Sequence, residues 1–98
     1  MSGITFDFRS QYFHINANAA AQPIKTTPGT VAGISINTKG ATANLLTLFD
    51  GTGGSAKTIA VIDTTSAVES IDLFYCRFGS LYYTLAGGTA ADVTVYYT

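Results

Sequence analysis

Short runs of β-branched and aromatic residues, each cut off by a cluster of Gly, Asp, Asn, Ser or Thr, leave this chain little choice of secondary structure. Val, Ile, Thr, Tyr and Phe suit a pleated, half-buried surface, while the residues that favour helices are scarce. Candidate strands fall at residues 4–8, 12–15, 30–37, 44–49, 57–62, 68–78, 81–85 and 92–97. Between them lie Thr38-Lys39-Gly40, Asp50-Gly51-Thr52-Gly53-Gly54, Asp63-Thr64-Thr65-Ser66 and Gly87-Gly88, whose residues tolerate positive φ or make side-chain turns. Links this short join antiparallel neighbours. The pattern predicts an all-β fold, a small antiparallel β-sandwich (jelly-roll or Ig-like) of about seven to eight strands with an extended N-terminal arm.

A chain of 98 residues holds one such domain and no second one for a cofactor. Only 11% of residues are charged, against roughly 25% in an average soluble domain. Apolar residues make up 47%, with six Phe and six Tyr among them, and the net charge is −1. Small domains that stay soluble alone carry a net charge of magnitude about 2 to 8. So little charge predicts a surface covered by other protein. The Lys and Arg residues, Arg9, Lys25, Lys39, Lys57 and Arg77, are scattered, so nucleic acid is not an expected partner. Nor is a membrane, since no apolar run nears the roughly 20 residues of a span. Cys76 is the only cysteine, which excludes a disulfide within the chain. Residues 1–8 carry neither a basic nor an apolar targeting segment, so synthesis and folding in a cytoplasm are expected.

From Ala17 to Ala21 the composition turns to Asn and Ala, and Pro23 and Pro28 follow. This divides the chain into residues 1–28, an arm or edge hairpin, and residues 29–98, the β-sandwich body.

Gly51-Thr52-Gly53-Gly54-Ser55-Ala56 fits the glycine pattern with which nucleotide-binding folds approach a pyrophosphate. That mechanism needs a helix directly after the glycines, to aim its amides and dipole at the phosphate. Here Lys57-Thr58-Ile59-Ala60-Val61-Ile62-Asp63 follows, and reads as a strand. A hairpin loop accounts for each glycine. His14, the one histidine, lies between Phe13 and Ile15 with Ser10 four residues earlier, and is read as a packing or interface residue rather than a general base. Cys76 shares a strand face with Phe74 and Phe78 and is expected to be buried and unreactive. One Cys and one His cannot build a structural zinc site. Asp50, Asp63, Asp72 and Asp92 are too dispersed for a calcium loop. Three of them, Asp50, Asp63 and Asp92, flank strands, where a local turn hydrogen bond is expected.

The segment Ile71-Asp72-Leu73-Phe74-Tyr75-Cys76-Arg77-Phe78 has no mainly polar face, as an exposed sandwich strand should. In Val93-Thr94-Val95-Tyr96-Tyr97, Tyr96 falls opposite the Val93, Val95 and Tyr97 face. Either a central strand lies under the arm or these faces meet another subunit. Candidate assembly contacts are therefore Tyr75, Arg77 and Tyr96, with Ile4, Phe6 and Phe8 of the arm, which alternate with Thr5 and Asp7.

Leu46-Thr47-Leu48-Phe49-Asp50-Gly51-Thr52, Ile59-Ala60-Val61-Ile62-Asp63-Thr64, Arg77-Phe78-Gly79-Ser80-Leu81-Tyr82-Tyr83 and Gly87-Gly88-Thr89-Ala90-Ala91-Asp92-Val93-Thr94-Val95-Tyr96-Tyr97 are further informative. In these segments, over residues 29–98, the chain resembles small β-sandwich structural proteins of tailed-bacteriophage virions, of the decoration or cement type. It departs from them at Phe49, where they have Tyr, and at Gly79-Ser80-Leu81, where they have Gly-Leu. The resemblance implies a non-enzymatic virion protein, made in the host cytoplasm, without cofactor or metal. Its implied partners are copies of itself and the major capsid protein or another virion protein. The alternatives are a tail, neck or fibre component, and a carbohydrate- or receptor-binding module using Tyr82 and Tyr83.

Overall fold

The computed structural model describes residues 11–98, which form two four-stranded antiparallel sheets. In chain order the strands are β1 (Gln11–Ile15), β2 (Ala19–Lys25), β3 (Gly29–Thr38), β4 (Leu45–Asp50), β5 (Lys57–Asp63), β6 (Ser70–Phe78), β7 (Leu81–Ala86) and β8 (Asp92–Tyr97). One sheet has the order β1-β8-β3-β6 and the other β2-β7-β4-β5. First pairs with last, β2 with β7, β3 with β6 and β4 with β5, as if one long hairpin had been wound around a barrel. Cross-links β3·β8 and β4·β7 close the two sheets. This winding makes the sandwich a jelly roll.

Alternation builds the core. Leu46 and Leu48 of β4, Leu81 and Leu85 of β7, and Val93 and Val95 of β8 are each 0% exposed, and Tyr83 between the two β7 leucines is 7% exposed, so every second position points inward. Each side chain so buried contributes roughly 1.5 to 3 kcal/mol of hydrophobic stabilisation. In β3 the inward positions are Val31, Ile34 and Ile36, a spacing of three and then two. The extra step is a bulge: the register against β8 passes from Val31↔Tyr97 directly to Gly33↔Tyr96.

β2, whose sequence is Ala19-Ala20-Ala21-Gln22-Pro23-Ile24-Lys25, was not anticipated as a strand. It is an edge strand, where Pro23 can turn its missing donor away from the ladder. Its bulge places two residues, Ala20 and Ala21, opposite Thr84, whose hydroxyl accepts the Ala21 N–H at 2.9 Å while Ala21 takes φ 49°. β1 and β2 do not pair with each other as a hairpin; each is the edge of a different sheet. Ile15 at the end of β1 is 2% exposed, inside the core. Residues 11–25 are thus built into both sheets. The strand expected at residues 4–8, with Ile4, Phe6 and Phe8, lies outside the described residues.

The β4 to β5 connection is the expected hairpin loop, with Gly51 and Gly53 at φ 92° and 78° and a short 3-10 turn at Gly53–Ser55. At the same end of the sandwich, Asp50 accepts the N–H groups of Gly79 and Ser80 at 2.9 and 3.2 Å, tying this loop to the β6 to β7 turn. Its bond is therefore long-range, not the local one expected. Asp63 does make the local turn, accepting from both the N–H and the hydroxyl of Thr65. Those bonds hold its carboxyl below the usual range.

Asn44 organises the opposite end. It is 0% exposed, and its amide NH₂ donates to Asn18 Oδ1, Ala86 O and Gly87 O, the last at 2.7 Å. Its Oδ1 accepts from the Thr64 hydroxyl at 2.7 Å and the Ala91 N–H at 3.0 Å. One side chain thereby joins the β1 to β2, β5 to β6 and β7 to β8 connections. Gly40 packs against it so closely that a Cβ there would strike both Asn44 and Thr64.

Candidate functional site

The outward side chains of the β1-β8-β3-β6 sheet fall into cross-strand rows. Tyr12 faces Tyr96, Tyr96 faces Gly33, and Gly33 faces Asp72. In the next row His14 faces Thr94, Thr94 faces Ser35, and Ser35 faces Ser70. Tyr12 is 71% and Tyr96 39% exposed. Because the third member of that row is glycine, a shallow groove of about 480 Å³ opens beside Tyr96, bounded by Ala32, Gly33, Ile71 and Asp72.

Glycine is required there. β6 carries Leu73, Phe74 and Tyr75 opposite the single residue Ala32, since its register against β3 steps from Cys76↔Val31 to Asp72↔Gly33. The backbone of β6 closes in at the end of this bulge, and a Cβ on Gly33 would fall inside van der Waals contact of the Ile71 carbonyl oxygen. Phe74 and Tyr75 both adopt left-handed conformations, φ 55° and 54°. Such a backbone costs roughly 1 to 2 kcal/mol per non-glycine residue. Asp72 holds the shape by accepting the Phe74 N–H at 2.7 Å, as an Asx turn does. The outcome is two adjacent aromatic side chains standing away from the strand, 80% and 54% exposed.

β6 is an edge strand, so of the two readings of its faces the central strand under the arm does not hold. The expected burial of Cys76 is overturned too, since it is exposed. Its pairing with Val31 keeps it on the Phe78 side of the strand, but Phe74, its other expected neighbour on that face, has left the ladder, and Cys76 stands beside the bulge at the open edge of the sheet. Arg77 and Tyr75 are exposed as well, on the same strand; Tyr96 lies two strands away, across β3.

Polar groups along the same sheet are engaged with one another. His14 Nε2 lies 2.6 Å from Asp92 Oδ1, which also accepts from Asn37 Nδ2 at 3.0 Å. Asn37 donates in addition to the Thr94 hydroxyl, and the Ser35 hydroxyl donates to Asn37 Oδ1. The hydrogen bonds from Asn37 and His14 hold the Asp92 carboxyl below its usual range. His14 and Asp92 form two members of a hydrolytic constellation, but the nearby hydroxyls of Ser35 and Thr94 are bound to Asn37 and not to the imidazole. The arrangement cross-links β1, β8 and β3, and among the described residues neither of these hydroxyls is placed on the imidazole. Among the described residues no group of three His, Cys, Asp or Glu side chains could hold a metal ion.

On the other sheet, Phe49 and Tyr82 lie side by side under Gly51 and Ala56, forming an apolar cleft of about 190 Å³. Small-molecule sites typically start near 300 Å³. Tyr83, paired with Tyr82 in the sugar-binding alternative, is 7% exposed and points into the core, where burial pushes its phenol up. Its ring instead packs on Phe13, with centroids 5.8 Å apart. An exposed Tyr82-Tyr83 platform is not present.

No helix among the described residues is long and apolar enough to cross a membrane. The chain matches no protein-family model, no curated protein and no solved structure.

Proposed function

We propose that this chain is a non-enzymatic structural protein of a tailed-bacteriophage virion, a decoration or cement protein that binds the major capsid lattice. One observation carries it: an outer sheet face and edge displaying Tyr12, Tyr96, Phe74 and Tyr75 on a chain with only 11% charged residues. Aromatic side chains with so few charges around them have the composition of an interface core. The resemblance of residues 29–98 to virion β-sandwich proteins gives that interface its setting. Jelly rolls recur in viral capsids, which agrees at the level of fold analogy; they recur in lectins too.

Under this proposal the work of the protein is mechanical. It binds many equivalent sites, spans adjoining capsid subunits and adds contact area, and needs neither cofactor nor metal. Partners are copies of itself and the capsid protein, with synthesis in the host cytoplasm. Labelled protein added to particles of the parent phage tests the proposal by imaging. Label spread evenly over the head is expected. Label confined to a neck, tail or fibre would move the protein there, and glycan binding without particle binding would replace assembly with recognition.

A further inference from the structure

We infer that the β6 bulge and the groove beside it form a two-fold interface with a second copy of this chain. This goes beyond a virion role, since it names the interface and its partner from the geometry of one strand.

A two-fold interface must be self-complementary: each group at the contact has to meet a compatible group from the same patch of the other copy. The β6 region offers such a patch. Phe74 and Tyr75 project, and the groove lined by Tyr96, Gly33 and Ile71 lies beside them. The charges have the matching symmetry. Asp72 and Arg77 flank the Phe74–Tyr75 pair in sequence, each two residues from its nearer member, and both pair with outward positions of β3, Gly33 and Thr30. An axis through that peptide sets Asp72 of one copy against Arg77 of the other, and Phe74 against Tyr75. Opposite charges then meet twice.

The mode of contact also follows. An open edge strand ordinarily invites a neighbour to extend the sheet, and a bulge is one of the devices that prevents it. With two residues out of the ladder, β6 cannot run an unbroken set of hydrogen bonds to another β6. Copies meet through the aromatic tips and the outer face instead. Strained, exposed aromatics fixed by a side-chain clamp are preorganised for this, because their ordering is complete before association.

Sedimentation of the full chain over a concentration range, with directed crosslinking, tests the interface. The wild type is expected to dimerise. Phe74→Gly and Tyr75→Gly, which suit the left-handed backbone and so preserve the bulge, are each expected to weaken the dimer at least tenfold. Arg77→Glu is expected to weaken it through like charges. In a Cys76→Ser background, Tyr75→Cys beside the axis should form an intermolecular disulfide on mild oxidation, whereas Val61→Cys on the β5 edge should not. A monomer at all concentrations, a dimer indifferent to Phe74→Gly and Tyr75→Gly, or preferential crosslinking through Val61→Cys would each overturn the inference. A monomer whose particle binding is lost in Phe74→Gly would overturn the dimer and leave the virion proposal standing, with capsid protein as the occupant of this face.

Discussion

Asn44 and the Phe74–Tyr75 pair invert the usual placement of side chains in opposite senses. Asn44 is a polar amide with no solvent exposure, at the start of β4; Phe74 and Tyr75 are aromatics turned out to solvent from β6. The amide is satisfied within the chain, with donors and acceptors drawn from several connections. Nothing comparable covers the aromatics among the described residues, and their backbone is strained as well. One irregularity locks the fold, while the other adds cost to the fold, a cost that the proposed interface would offset. Polar burial with full satisfaction reads as architecture; apolar exposure held in a strained geometry reads as function.

Removing the lock is expected to have the largest effect. Asn44→Leu keeps the volume roughly constant but strands the Ala91 N–H and the Gly87 carbonyl, while the Thr64 hydroxyl keeps the main-chain carbonyl of residue 44. Leaving a buried polar group unpaired costs about 1 to 3 kcal/mol. A total of about 3 to 5 kcal/mol is expected, since some of these groups regain water as the loops loosen. A urea unfolding curve measures it, and a loss below about 1 kcal/mol would show that the loops hold without the hub. Gly33→Ala comes next, because its Cβ meets backbone, the Ile71 carbonyl, which cannot swing aside as a side-chain tip would. The expected loss is about 1 to 3 kcal/mol, typical of overpacking. Equal stability would show that the β6 bulge relaxes freely.

Phe74→Gly should break the pattern. A large aromatic cut from a core ordinarily costs about 3 to 5 kcal/mol. Here the side chain packs on little and the backbone wants glycine, so relief of left-handed strain is set against the greater entropy of an unfolded glycine chain. Stability of the isolated chain is expected to hold or rise by up to about 1 kcal/mol. A loss above 2 kcal/mol in thermal or urea unfolding would place Phe74 among the residues that hold the fold together, and the contrast with Asn44 would collapse.

Much of this architecture was legible from residue types alone. The strands β1, β3, β4, β5, β7 and β8 announce themselves through alternation and turn residues, and the β4 to β5 loop through its glycines. β2 did not, because an edge strand makes few demands: Ala, Gln and Pro suffice when one side of the ladder is open. Asn44 looked like the first residue of a strand, and its partners are 20 to 47 residues away. No local pattern carries that information. Cys76 was misread because Phe74, its expected neighbour on one strand face, leaves the ladder in a bulge and the strand is an open edge there. The clue was local all the same. Asp72 two residues before Phe74 is a turn signal inside an apparent strand, and it would have allowed the ladder to break there.

The smallest effect belongs to the polar network that joins β1 to its neighbours, and its sign can be worked out. Asp92 titrates below the ordinary carboxylate value of 3.8 in the folded protein, first because Asn37 donates to it and then because His14 does. A lowered folded value means that its stabilising contribution is complete above the unfolded value and is lost as pH falls through the folded one. Asp92→Asn should therefore be less stable than wild type at neutral pH, with the gap closing in strong acid, below the folded value. Both His14 and Asp92 are partly open to solvent, at 47% and 35% of their side-chain area, so screening keeps the gap small. It should also shrink in high salt to the extent that the ion pair contributes, and persist to the extent that the Asn37 hydrogen bond does. Urea midpoints for the two proteins at neutral and strongly acid pH would decide it. A gap that widened in acid would reverse the sign argued here, and one as large as that of Asn44→Leu would mean that β1 is held mainly by this network and not by Ile15 in the core.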